Sequence, residues 1–206
     1  MSATHPVAAV GGEPVFAAEV DAAEARLRAA PGAAALPVAG TSEGRQLRRW
    51  LTQLIVAQRL VAAEAAARGL TARGAPGEAE LLPDATARLE IGSVAAAVLA
   101  AAPARALFAD LTGGLDVSDD EVAGYHARNP LRFAAPRGEP HGWRAPAVAA
   151  PPLAEVRAAI AAQLRGAARR RAFRLWLDAR LAERVRFAPG YEHPGDPRQP
   201  DNTHRH

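Results

Sequence analysis

The stretch Val7–Val20, VAAVGGEPVFAAEV, decides how the chain begins to fold. Apolar residues lie on both sides of Gly11 and Gly12, and a two-glycine turn between apolar runs is typical of a β-hairpin. The alanine and glutamate residues that follow favour a helix. We therefore expect a short hairpin that leads directly into a first helix over residues 17–30.

Helical spacing of apolar residues continues along the chain. Four more helices are predicted at 42–68, 84–101, 103–111 and 153–184, and another begins at Ser118, where Glu121 completes a capping box, and stops at Asn129-Pro130. Gly69 is placed to end the helix at 42–68, before a Gly/Pro loop at 71–83.

A short apolar segment, Val185–Phe187, follows the last helix and predicts a strand. We expect it to pair with Val7–Val10, because two such short strands are not stable alone. The predicted fold is therefore mainly α, with a small pairing of N- and C-terminal strands and an extended C-terminal tail.

The composition limits the core and the charge. Hydrophobic residues make up 49% of the 206 residues but aromatic residues only 5%, so we expect closely spaced helices around small side chains. Every basic residue is arginine and the formal net charge is only +3, so the high pI does not indicate a strongly positive field. Zero cysteines exclude disulfides and thiolate metal sites.

The sequence shows no leader-like N-terminus and no charge-free apolar stretch of membrane-spanning length. We therefore expect a cytoplasmic protein with no membrane partner. The sequence leaves homo-oligomerisation open.

Three segments carry a resemblance to a known family. They are the hairpin with its helix start at 7–20, the amphipathic LRRWLTQLIVAQRL at 47–60, and VSDDEVAGYHARNPLRF at 117–133. Together with the closing helix and strand at 155–187, they resemble the SurA/PrsA-type peptidyl-prolyl isomerase chaperones. The resemblance implies a helical domain like the N-terminal domain of those chaperones, over residues 1–188.

In that family a parvulin domain lies between the Asn-Pro-x-x-Phe segment and the closing helix. Here residues 136–152 form a proline-rich connector, whereas a folded domain needs at least about 50 residues. We therefore expect no isomerase activity and no other enzyme activity.

The resemblance implies a non-catalytic, chaperone-like protein that binds a protein or peptide client, or a partner enzyme. The implied groove is lined by leucine, valine and the few aromatic residues. Trp50, Trp143 and Trp176 are the candidate contributors to it.

The polar tail at 189–206 suggests a second function. It contains His193, His204 and His206 near three carboxylates, and histidine and carboxylate ligands suit Zn, Ni, Cu or Fe. The alternative interpretations are therefore a metal-binding or metalloenzyme-accessory protein and a disordered polar appendage. If the tail has a specific role, we expect Tyr191 and Pro194 to pack against the helical body.

Two further motifs have simpler structural interpretations. Gly40–Gly44, GTSEG, matches the G-x-S-x-G elbow of acyltransferases, but no strand is predicted before it, so Ser42 or Thr41 is expected to be a helix N-cap. The basic cluster at 166–174 is expected to be a solvated helix face with Phe173 and Trp176 facing inward, which disfavours nucleic acid as a partner.

Overall fold

The two glycines near the N-terminus turn the chain into a hairpin, as predicted. In a computed structural model, which describes residues 5–134 and 150–192, β1 (Pro6–Val10) pairs antiparallel with β2 (Glu13–Phe16). Gly11 and Gly12 have φ of 58° and 93°, and a two-residue hairpin turn needs this left-handed conformation.

The C-terminal strand completes the sheet on the other edge of β1. β3 (Val185–Phe187) pairs antiparallel with β1, with Val185 opposite Val10 and Phe187 opposite Ala8, so the strand order is β2-β1-β3. The predicted pairing of the N- and C-terminal strands is therefore confirmed. Val10 and Val185 are both buried, so the pairing is also part of the core.

Eight α-helices account for most of the other described residues. They are α1 (Ala17–Ala29), α2 (Ser42–Ala67), α3 (Glu78–Leu81), α4 (Ala85–Ile91), α5 (Ser93–Val98), α6 (Ala102–Thr112), α7 (Asp119–Arg128) and α8 (Leu153–Arg184). The mainly helical prediction is confirmed, but the single helix expected over 84–101 is wrong. Gly92, with φ of 88°, breaks it into α4 and α5, because left-handed backbone cannot continue a right-handed helix.

The main hydrophobic core surrounds α2. This helix packs against α1, α5, α6 and α8, and its Val56, Ala57 and Val61 are fully buried. The body therefore includes α5 and α6 as well as α1, α2 and α8. Small side chains such as Ala95 and Ala104 are also buried in this core, which agrees with the expectation of closely spaced helices.

A second, smaller core joins α7 to the N-terminal half of α8. Val122 from α7 packs there with Val156 and Ile160 from α8. The predicted capping box opens α7, since Ser118 Oγ accepts from Glu121 N at 3.2 Å and the Glu121 carboxylate accepts from Ser118 N at 2.8 Å. The 32 residues of α8 thus connect both cores.

A buried carboxylate ties α1 to α2. Glu24 is 8% exposed and accepts hydrogen bonds from Arg28 Nη2 at 2.7 Å and Arg48 Nη1 at 2.8 Å. Burial acts to raise the pKa of Glu24, but the hydrogen bonds and charges of the two arginines outweigh it, so the pKa is lowered. Arg28 also donates to the Pro37 carbonyl at 2.9 Å, which anchors the loop before α2.

We expect Glu24→Gln to lower the free energy of unfolding by about 1–3 kcal/mol at neutral pH, because it removes charged hydrogen bonds and leaves the arginines poorly paired. The lowered pKa means that the carboxylate stabilises the fold above the ordinary glutamate pKa of about 4.3. This contribution is lost as the pH falls through the lower folded-state pKa. Urea unfolding at several pH values therefore gives a difference from wild type that shrinks in acid.

Glu13→Gln, at an exposed position of β2, is the matched control and should change stability by less than about 0.5 kcal/mol. A deficit of Glu24→Gln that stays constant down to pH 3 would contradict the assigned ionised state.

Candidate functional site: a groove along the last helix

Two of the three predicted tryptophans lie at the edge of the main core. Trp50, on α2, is half-buried, and its Nε1 donates to Ser93 Oγ at the start of α5 at 3.0 Å. Trp176, on α8, is also half-buried and packs on Phe173, with ring centroids 5.6 Å apart. Phe173 is fully buried and faces inward, as predicted. Trp143 lies outside the described residues.

Three adjoining cavities follow one side of α8, and we call them together the α8 groove. The central cavity has a volume of about 390 Å³ and is lined by Glu90 of α4 and by α8 residues that include Arg174, Leu175 and Asp178. A cavity of about 230 Å³, between α2, α5 and α8, shares Arg174 and Asp178 with it. A cavity of about 400 Å³, beside α3 and α4, shares Glu90 with it.

Six of the α8 residues that line the groove form a stripe of the helix. Their positions are three or four residues apart, which places them on one face: Gln163, Ala167, Arg170, Arg174, Asp178 and Leu181. Other lining residues of α8, among them Arg171 and Leu175, lie beside this stripe. At a rise of 1.5 Å per residue the stripe is about 27 Å long. An extended polypeptide rises about 3.3 Å per residue, so the groove has the length of about eight residues.

Arg170, from the basic cluster at 166–174, attaches α8 to α4 at one wall of the groove. Arg170 is only 8% exposed, and its Nη2 and Nε donate to Glu90 Oε2 at 2.7 and 3.0 Å. Its Nη1 donates to the Leu81 carbonyl at 3.3 Å. The expectation that this cluster is a solvated face is therefore wrong for Arg170, because a carboxylate on α4 draws the guanidinium inward.

The charges that line the groove are balanced. Four arginines face four carboxylates: Arg132, Arg170, Arg171 and Arg174 with Glu80, Asp84, Glu90 and Asp178. Apolar side chains contribute to the same surface, among them Leu175, which is 59% exposed. A charge-balanced groove with apolar contacts suits a neutral segment better than a polyphosphate.

The GTSEG motif forms a helix start. Thr41 Oγ1 accepts from Gly44 N at 3.1 Å, so Thr41 is the N-cap of α2 and Ser42 its first residue. A 3₁₀ turn and a loop precede Thr41, where a nucleophile elbow would need a strand. Gly44 lies so close to the preceding loop that an added Cβ would meet the Val38 carbonyl oxygen at 2.4 Å. Close packing against this loop therefore requires a glycine at position 44.

The tail is anchored where it leaves the fold. Tyr191 is half-buried and packs against the main core, which confirms the packing expected of it. Pro194 and the three candidate ligands His193, His204 and His206 lie outside the described residues. Among residues 5–134 and 150–192, no group of three histidine, cysteine or carboxylate side chains is placed to hold a metal ion, and the metal site of the tail stays a prediction.

Comparison with known proteins gives one partial match. Residues 6–43, from β1 to the first turn of α2, match the model of a family of unknown function, DUF7158. No curated protein and no solved structure matches the chain. None of the described helices is both long enough and apolar enough to cross a membrane.

We expect Gly44→Ala to lower the free energy of unfolding by about 1–3 kcal/mol, because the methyl group must push the Val38 carbonyl away. Thr41→Ala should cost about 1 kcal/mol through the lost cap. Ser42→Ala should stay within about 0.5 kcal/mol. Thermal melts of the three variants measure this order, and a larger loss for Ser42→Ala than for Gly44→Ala would contradict the structural role of the motif.

Proposed function

We propose that the protein binds extended, mainly apolar segments of other polypeptides in the α8 groove and acts as a non-catalytic, chaperone-like protein. The observation that carries the proposal is the groove itself, a series of three neighbouring cavities along α8 that share lining residues. Its length of about eight extended residues matches a peptide segment.

The lining of the groove supports a peptide as its occupant. Leu175 offers exposed apolar surface, and the side chains of Arg174 and Asp178 offer a donor and an acceptor beside it. A polypeptide backbone presents one donor and one acceptor per residue. An extended segment therefore complements both the polar and the apolar parts of this surface.

The resemblance to the SurA/PrsA-type chaperones supports the same function. In that family, the helical scaffold holds apolar extended segments of client proteins. By the same resemblance, the 17 residues at 136–152 correspond to the position of the parvulin domain in that family, and for this reason the proposal assigns binding without isomerisation.

We expect dye-labelled ten-residue peptides with leucine at alternate positions to bind the protein, as measured by fluorescence anisotropy. Leu175→Ser should weaken this binding about tenfold, because it removes most of the apolar contact of one leucine, which is worth about 1.5–3 kcal/mol when fully buried. The substitution leaves the charge unchanged, so the loss reports the apolar contact alone.

Val38→Ser is the control for this experiment. Val38 is 70% exposed, lies in the loop before α2 and lines none of the three cavities, so its substitution should leave the affinity within twofold. Equal affinities of wild type and Leu175→Ser, or the absence of binding to any peptide, would contradict the proposed function.

A further inference from the structure

The C-terminal half of α8 has an exposed face centred on Leu175, which is 59% exposed. Residues three, four and seven positions before and after Leu175 lie on the same side of the helix. They are Ala168, Arg171, Ala172, Asp178, Ala179 and Ala182. None of them is buried. We call these residues, together with Leu175, the Leu175 face.

In the N-terminal half of α8, α7 covers the same side of the helix. Ile160 and Leu164 lie about four and three turns before Leu175, and they belong to the second core with Val122 of α7. Because α7 has only 10 residues and α8 has 32, α7 covers only part of this side. The Leu175 face therefore continues a surface on which a helix already packs.

The charges on the Leu175 face complement those of a second copy in an antiparallel arrangement. A two-fold axis at Leu175 places the residues before it in one copy opposite the residues after it in the other. Arg171 lies four residues before Leu175, and Asp178 lies three residues after it and two turns from Arg171, on the same side. Arg171 of each copy therefore meets Asp178 of the other, with a mismatch of one residue, about 1.5 Å.

Both charged side chains are available for this contact. In the part of the chain that the structure describes, the exposed Arg171 guanidinium has no ion pair or hydrogen bond. Asp178 lies 3.8 Å from Arg174 Nε, and both of these side chains are more than half exposed. An exposed pair of this kind contributes little free energy, so it does not prevent Asp178 from meeting Arg171 of a second copy.

The alanines of the face allow two helices to approach closely. Ala172 and Ala179, three residues before and four after Leu175, lie opposite each other across the same axis. Ala168 and Ala182, seven residues before and after it, also lie opposite each other. Side chains this small permit an interaxial distance near the short end of the usual 8–10 Å.

From the exposed leucine and the complementary charges, we infer that the Leu175 face is a homodimer interface. In it, α8 packs antiparallel on α8 of a second copy. The face is about 21 Å long, and one pair of helices of this length buries less than the roughly 800 Å² per partner of a standard interface. We therefore expect a reversible dimer with a Kd in the micromolar range.

The dimer covers the central cavity of the α8 groove. Arg171, Leu175 and Asp178 belong to the Leu175 face and also line that cavity, so a peptide and a second copy compete for them. This part of the inference rests on the proposed function. Dimerisation then keeps the apolar surface of the groove away from water until a client segment displaces the second copy.

Sedimentation velocity of the full chain between about 1 μM and 1 mM tests the dimer without any peptide. Wild type should convert from monomer to dimer over this range. Arg171→Asp and Asp178→Arg should each weaken the dimer at least about tenfold, because each places like charges opposite each other twice. An equimolar mixture of the two variants should dimerise like wild type, because opposite charges then meet at both contacts.

Two further variants serve as controls. Arg184→Asp makes the same charge change at an exposed position nine residues after Leu175, on the opposite side of α8, and should leave the dimer Kd within twofold. Ala179→Gln adds bulk at an exposed position that lines none of the three cavities, so it should weaken the dimer about tenfold and leave the melting temperature unchanged. A wild type that stays monomeric, or a mixture that fails to dimerise, would overturn the inference.

The dimer and the proposed function fail in different ways. If wild type stays monomeric but leucine-rich peptides bind and Leu175→Ser weakens them, the dimer is wrong and the proposed function stands. If the charge variants behave as expected but no peptide binds, the dimer stands and the proposed function is wrong. If both are right, the peptide converts the wild-type dimer to monomer, and a dimer that binds peptide without dissociating contradicts the competition.

Discussion

The position of α8 depends on the pairing of β3 with β1. Val185 follows the last residue of α8 directly and lies opposite Val10, so the end of the helix is fixed against the N-terminal hairpin. Closing a loop of about 175 residues costs chain entropy, although this cost grows only slowly with loop length. Buried valines on both strands and the packing of the hairpin on α2 offset it. Without this pairing, the C-terminal end of α8 would be held only by its side-chain packing on the other helices.

Arginine is well suited to the second constraint on the groove, the attachment of α4 to α8. Arg170 reaches Glu90 with two nitrogens and the Leu81 carbonyl with a third, and this fork of donors is not available to lysine. Glu90 is itself partly exposed, so only Arg170 is strongly desolvated. We infer that the ion pair positions α4 against α8 more than it stabilises the fold. The basic cluster thus shapes a peptide-sized surface, although its composition alone resembles a phosphate-binding patch.

Much of the fold follows from local sequence signals. The Gly11-Gly12 turn, the Ser118–Glu121 capping box and the ends of α8 all depend on neighbouring residues, and the structure has each of them as predicted. The break at Gly92 was missed because an alanine-rich run with one glycine is compatible with a continuous helix. The residues that line the α8 groove were not predicted, for a different reason. Trp50 and Trp176, which the sequence analysis expected in a groove, line none of its three cavities. Its walls come from α2, α3, α4, α5 and α8, and no local pattern relates Glu90 to Arg170 across 80 residues.

Gln53 is a polar residue at a buried position of α2 where an apolar residue is expected. It lies between Leu51 and Leu54 on the helix that forms the centre of the core, where an amide is a poor choice for stability. A sequence that keeps this amide accepts a cost that a leucine would avoid. Proteins commonly carry such costs at functional sites, where the best residue for binding is not the best for the fold. The cost of one unpaired amide, about 1–3 kcal/mol, is a sizeable fraction of the marginal net stability of a folded domain. The Gln53 Nε2 donor has almost no accessible surface of its own, however, so the cost is carried by the packing around α2 and not by a binding site.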